Sequence, residues 1–313
     1  MNTNSFIKRF SIKGLHYYRD FELVFTDPIV ILVGENGSGK TTILNILYAI
    51  LKTRWALLGG IGFDIIQIEF ENNISIDFTH SELDGYLILK YFNKLIERNE
   101  DTLRKFSQLE RQGKEIKAKF EKIEKILSEF SRNYSILYLP VVRNLKEDLR
   151  ISGLDDDIRQ TVERALHVED DIYIPTDFRY LNKNRSYNST SINLFTKNCN
   201  DYLVNTDIVW NHQKKEFSIV NKFSKELVKS HQLSSGEQQI LYIFSKIHLS
   251  GSQKLLVLFD EPELSLSLAW QRKILADIVS SERCYFLLAI THSPFTFDNE
   301  LVDYAKGINV CFK

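Results

Sequence analysis

The chain has 313 residues, 43% of them hydrophobic and 26% charged, so one large domain, or a domain with an inserted subdomain, is expected around an ordinary globular core. Lys+Arg (40) and Asp+Glu (41) nearly cancel to a net charge of -1, which excludes a globally basic nucleic-acid binder but not a local basic groove. Cys199, Cys284 and Cys311 are widely spaced, so neither a disulfide framework nor a Cys-based metal site is expected. No signal-peptide-like start and no run of about 18 apolar residues appears, which predicts a cytoplasmic protein without a membrane span.

In chain order, FIKRFSI, DFELVF and PIVILV read as strands. The last is continuously apolar, as a strand buried on both faces should be. It runs into GENGSGKTT (34–42), and TILNILYAIL then has apolar residues at helical spacing. DIIQIEF and NISIDF predict a hairpin.

Residues 88–131 predict a helical insertion. Ile116, Phe120, Ile123, Leu127 and Phe130 step by 4, 3, 4, 3, a coiled-coil-like stripe. Phe92, Ile96, Leu103 and Phe106 continue it loosely, and Gly113 could divide it into two antiparallel arms. Each arm would reach about 30 Å at 1.5 Å per residue. A solvated insertion is the plainer expectation, and an arm for DNA or a partner the sharper one.

SILYLP (135–140) reads as a strand. The acidic cluster Asp155, Asp156 and Asp157 reads as a solvated helix start rather than a metal site. DIVWN and EFSIV predict a second hairpin. Then helix (QLSSGEQQILYIFSKIHL), strand (KLLVLFDEPE), helix (LAWQRKILADIV) and strand (CYFLLAITHSP) alternate, which argues for a parallel α/β sheet.

GENGSGKT matches G-x-x-x-x-G-K-[ST] between a strand and a helix. In such a loop, backbone N–H groups of Gly34, Glu35, Asn36, Gly37, Ser38 and Gly39 wrap phosphates, helped by Thr42 and the helix start. Lys40 would reach the β- and γ-phosphates of ATP, and the Thr41 hydroxyl would coordinate Mg²⁺. Asp260 and Glu261 end a hydrophobic strand. The first fits a Mg²⁺ carboxylate and the second a base or orienter for the attacking water. LSSGEQQ (233–239) opens a second helix with Ser235 and Gly236. Since the glycine loop already cradles phosphates, this second helix start makes sense for a nucleotide held by another copy.

Together these motifs resemble ABC-type P-loop ATPases, over about 1–50 and 230–297. The resemblance implies an α/β ABC-type P-loop NTPase head with a mixed or parallel sheet, N-terminal antiparallel strands and the helical insertion. It implies that Ser235 and Gly236 contact the γ-phosphate bound by the partner of a homodimer or larger homo-oligomer, and that His292 of ITHSP is the switch histidine. Relatives often carry His where Ser267 stands. Gln67 sits in a strand-like run, unlike a transporter's glutamine loop, and His16 and Tyr17 are the aromatic candidates for stacking on adenine. The start of the chain is similar to SMC-like and RecF-like ATPases. YLPVVRNLKEDLR (138–150), EPELSLSLAWQ and THSP resemble overcoming-lysogenization-defect ATPases and those of the Septu, PARIS and retron-associated anti-phage systems. Arg143 would be the basic residue of that segment, with Asn144 replacing a second one. The resemblance implies a separate effector, a nuclease or toxin, since the residues after His292 are too few for a Toprim nuclease. A RecF/SMC-like DNA-repair ATPase acting on DNA is the alternative. The expected organisation is 1–87, an N-terminal lobe; 88–131, the insertion; 132–230, a linking region; and 231–313, the C-terminal lobe.

Overall fold

A computed structural model describes residues 6–35, 37–95, 113–140, 181, 187–251 and 253–313. Arg143, Asn144, the 155–157 acidic cluster and Asn36 lie outside these. Among the described residues, no helix is long and apolar enough to cross a membrane.

The predicted strands form two sheets. β1 (Ile7–Leu15), β2 (Arg19–Val24), β4 (Ile65–Phe70) and β5 (Ser75–Thr79) make an antiparallel sheet in the order β2-β1-β4-β5. The β1–β2 turn places His16 and Tyr17 at φ 54° and 66°. β3 (Ile29–Val33), β6 (Tyr134–Leu139), β9 (Lys254–Asp260), β10 (Cys284–Thr291) and β11 (Ala305–Gly307) form the second sheet, in the order β11-β3-β10-β9-β6 with every pair parallel. The hairpin β7 (Thr206–Asn211) and β8 (Glu216–Asn221) stands apart from both.

The parallel sheet separates two cores, and strand periodicity shows how. Val30 and Leu32 of β3, with Leu288 and Ile290 of β10, face one core. Ile29 and Ile31, with Leu287 and Ala289, face the other. Both faces are covered, which is why these strands read as unbroken apolar runs. The first core holds the antiparallel sheet and α1 (Lys40–Leu51). The second holds α4 (Ser189–Asn200), α5 (Ser235–Leu249) and α6 (Leu268–Val279). The chain is thus an α/β fold with a parallel sheet and N-terminal antiparallel strands, as expected.

The described helices of the insertion lie on the first core, while Ile96, Leu103 and Phe106 fall outside the described residues. The first, α2 (His80–Leu95), starts directly after β5, so the boundary expected at residue 88 falls inside it. The second, α3 (Gly113–Asn133), turns its apolar stripe onto the first core. Phe120 is fully buried, stacked on Tyr86 at 4.3 Å and edge-on to Trp55 at 5.1 Å. Phe130 packs on Phe6 and Phe70. A period near 3.5 serves a coiled-coil seam and a helix laid on a sheet equally well, so the stripe alone could not choose. Polar bonds fix the seat: Glu124 accepts from Trp55 Nε1, Tyr86 Oη and Lys90 Nζ at 2.8–2.9 Å. Burial works against ionising Glu124, but these donors outweigh it and hold its carboxyl below the ordinary value. Phe120→Ala should cost about 3–5 kcal/mol, read as a lower melting temperature.

Candidate functional site

Parallel order brings three loops to one edge. β10 lies between β3 and β9, so the loops leaving the C-terminal ends of these neighbouring strands meet. They carry residues 34–39, Glu261 and His292, at the edge where open α/β sheets bind ligands. Among the described residues, a cavity of about 300 Å³ there is lined by Gly37, Ser38, Gly39, Lys40, Thr41, Thr42, Glu261 and His292.

The glycine loop needs its glycines. Gly37 and Gly39 have φ of 79° and 86°, a left-handed region that side-chain-bearing residues avoid. Gly39 caps α1 without any side-chain hydrogen bond, leaving first-turn amides for a ligand. A Cβ on Gly34 would meet Ile308 Cγ2 at 2.5 Å, so the loop is also pressed onto the C-terminal segment. Lys40 Nζ donates to the Glu35 carbonyl and to Ser38 Oγ, the latter at 3.2 Å. It is 5% exposed. Burial lowers its pKa against the opposing pull of Asp260, Glu261, Glu263 and Glu35, as for an ammonium awaiting an anion.

Thr41 Oγ1 donates to Asp260 Oδ2 at 2.7 Å, joining the start of α1 to the end of β9. Asp260 is 1% exposed, and its other oxygen, Oδ1, is buried with no hydrogen-bond partner among the described residues. Burial, with repulsion from Glu261, pushes its pKa up to about 6 despite the Thr41 bond. An unpartnered buried carboxylate oxygen beside a hydroxyl suits a hard, oxygen-seeking cation. Mg²⁺ is such a cation: it takes one or two protein oxygens and completes its shell with phosphates and water.

Glu261 sits at φ 47°, with its N–H donating to the Ile290 carbonyl at 2.8 Å. Strained backbone of this kind costs about 1–3 kcal/mol and persists where surroundings over-determine it. It brings Glu261 Oε1 to 3.5 Å from His292 Nε2.

Beside the expected His16, the cavity has a wall that the sequence did not announce: Leu15, Tyr18, Arg19 and Phe312. The Arg19 guanidinium lies 5.0 Å from the Tyr18 ring and 5.7 Å from that of Phe312. Tyr17 is instead packed at Gly62, where a Cβ would meet its ring at 2.3 Å, so of the expected pair only His16 reaches the cavity. Phe312 comes from the far end of the chain, held there by Lys313, which pairs with Glu22.

Ser235 and Gly236 do not line this cavity. The cap of α5 is Ser234, whose hydroxyl accepts from Glu237 N at 3.3 Å while Glu237 Oε2 accepts from Ser234 N at 2.8 Å, a capping box. Ser234 is thus engaged in the cap, and Ser235, expected to serve a partner's nucleotide, is exposed. Gly236 is buried, and a Cβ there would meet the Ser265 carbonyl at 2.4 Å. Ser267 caps α6 by accepting from Trp270 N, and Gln67 stays in β4.

Strand, glycine loop and helix, with a carboxylate-ended strand one place beyond the adjacent one in the same parallel sheet, define a P-loop fold of the ATPase type. The chain belongs to the family described as "AAA domain, putative AbiEii toxin, Type IV TA system", whose model matches residues 29–298. No curated protein matches it. Among solved structures it is similar to an SMC head bound to the C-winged helix domain of ScpA (15% identity, TM-score 0.45, covering 96% of this chain and 93% of that one). It is also similar to the SMC head domain from Thermotoga maritima (14%, TM-score 0.40, 96% and 94%). A third is an Smc head with an extended coiled coil, bound to the C-terminal domain of ScpA derived from Pyrococcus furiosus (15%, TM-score 0.41, 96% and 93%).

Proposed function

We propose that the chain binds ATP with Mg²⁺ in this cavity, hydrolyses it between two copies of itself, and thereby controls a separate effector, a nuclease or toxin, in anti-phage defence. The observation that carries the nucleotide reading is a cavity that Lys40, Thr41, Glu261 and His292 line together, with Thr41 also bonded to the buried Asp260.

The residues divide the work. Amides of the glycine loop and of Thr41 and Thr42 bind the phosphate chain. Lys40 would leave the Glu35 carbonyl and Ser38 for the β- and γ-phosphates. Thr41 and Asp260 would hold Mg²⁺, which supplies charge compensation for the phosphoryl oxygens. Glu261 orients a water and accepts its proton at Oε1, and His292 Nε2, beside it, donates to the γ-phosphate. Ser235, which is exposed, and Gly236 would serve the partner's nucleotide. The effector role rests on the resemblance to defence ATPases.

Phosphate release tests the reading. Wild type should turn over ATP with Mg²⁺, Glu261→Gln should bind without turnover, and Lys40→Ala should do neither. An inactive wild type, or an active Glu261→Gln, would contradict it. Release stimulated only by DNA would favour the repair alternative.

A further inference from the structure

Glu263 lies two residues beyond the carboxylates that the motif points to, and the chemistry above does not use it. Among the described residues, its side-chain bonds go to the end of β10 and the start of the loop that carries His292. Oε1 accepts from His292 N at 2.7 Å, and Oε2 accepts from Thr291 Oγ1 at 2.8 Å. Thr291, fully buried, passes the constraint on by accepting from Ser293 N at 3.0 Å and from Thr296 Oγ1 at 3.2 Å. A second brace runs from α6. Gln271 Nε2 donates to the carbonyls of Glu263 and Leu266 at 3.3 and 3.0 Å, while its Oε1 accepts from Ser293 Oγ at 2.8 Å. One carboxylate and one carboxamide thus bind the loop after β9 to the loop after β10. The side-chain types match these roles, since a carboxylate accepts from two donors at once and an amide donates on one side and accepts on the other.

We propose that Glu263 and Gln271 are positioning residues that latch the His292 loop to the loop following Glu261, and so set His292 against Glu261 for the γ-phosphate. This rests on the ATPase reading for its consequence but not for its geometry. The latch also explains how a side chain on a loop can be held to within hydrogen-bonding tolerance of a reacting group, which about 1 Å of misplacement would spoil. Because the loop after β9 also covers Gly236 through Ser265, displacement at the start of α5 would reach His292 through two bonded side chains.

Glu263→Gln is the informative variant. A carboxamide can accept from only one of the two donors and sets an N–H₂ against the other. Hydrogen–deuterium exchange of residues 291–293, by mass spectrometry on the full-length protein, should be about tenfold faster, because the His292 amide loses its acceptor. The kcat for ATP should fall about tenfold with KM within about twofold, since ATP contacts are untouched and only alignment is lost. A residue of merely structural importance would instead lower the melting temperature without this local exchange and kcat signature. Unchanged exchange at 291–293 with kcat within twofold would overturn the proposal. Should Glu263→Gln fail to fold, Ser293→Ala, which removes only the hydroxyl that reaches Gln271, carries the same test, and unchanged exchange there overturns it equally. A wild type that releases no phosphate, while Glu263→Gln still loosens 291–293, would sink the ATPase reading and leave the latch standing.

Discussion

Two helices in this molecule begin with small residues and look alike in sequence, GSGKT before α1 and LSSGE before α5, yet they are finished differently. At α1 the cap is Gly39 in a left-handed conformation with no side-chain bond, and the helix start opens on a cavity with a buried ammonium beside it. At α5 the start is satisfied internally, by the Ser234–Glu237 capping box, and its glycine is covered by the Ser265 carbonyl. A helix N-terminus carries the same partial positive charge in either case. What differs is whether the chain commits its own acceptors there. The first leaves its opening turn uncapped beside the cavity within one chain, and the second offers the exposed Ser235.

Substitutions can break or sharpen this contrast. The largest effect should come from Glu261→Gln, which keeps the site's shape and removes the base: turnover should fall about 1,000-fold with ATP affinity little changed, measured by phosphate release and calorimetry. Lys40→Ala should weaken ATP binding about 100-fold by calorimetry, whereas Ser234→Ala should leave affinity for a single protomer unchanged. Equal losses in both would erase the distinction between the two helix starts.

Asp260 gives the α1 side a pH signature. Its folded pKa of about 6 lies above the ordinary 3.8. The folded apoprotein therefore holds that proton more tightly than the unfolded chain. The stability it contributes is fully present below pH 3.8 and is lost as pH rises through about 6, by about 3 kcal/mol at most. Mg²⁺ needs the ionised carboxylate, so Mg²⁺-dependent ATP affinity should run the other way, falling about tenfold between pH 7 and pH 5. Denaturant titrations and calorimetry across this range check both, and Asp260→Asn should flatten both. The smallest effect belongs to the α5 side: Ser234→Ala removes the cap and should cost about 1 kcal/mol in chemical unfolding.

The α1 side is legible in the sequence because its chemistry is local. A glycine loop, Lys40 and Thr41 are contiguous, and the buried strand ahead of Asp260 announces itself by composition. Glu263 is not legible, because its partners are the backbone N–H of His292 and the hydroxyl of Thr291, donors that no residue pattern marks. Arg19 and Phe312 escape notice for a related reason: they meet only after β2 and the C-terminal segment are brought together, through the Phe21–Phe312 bridge. The stripe of α3 is a helix face, as its spacing predicts, and the first core and α2 bury it together, since periodicity reports that a face is buried and not what buries it. Which serine caps α5 is not legible either, because Ser234 and Ser235 are equivalent until Glu237 selects its capping partner.

Completion of the α5 start by a second copy bearing nucleotide is the central claim, and the mass of Glu261→Gln in solution, by light scattering with and without ATP–Mg²⁺, tests it most directly. The expected result is a monomer without nucleotide and a doubled mass, or a larger closed assembly, with ATP–Mg²⁺, and the loss of that assembly when Ser235 is changed to a bulky acidic residue. An unchanged mass with ATP demonstrably bound would contradict it.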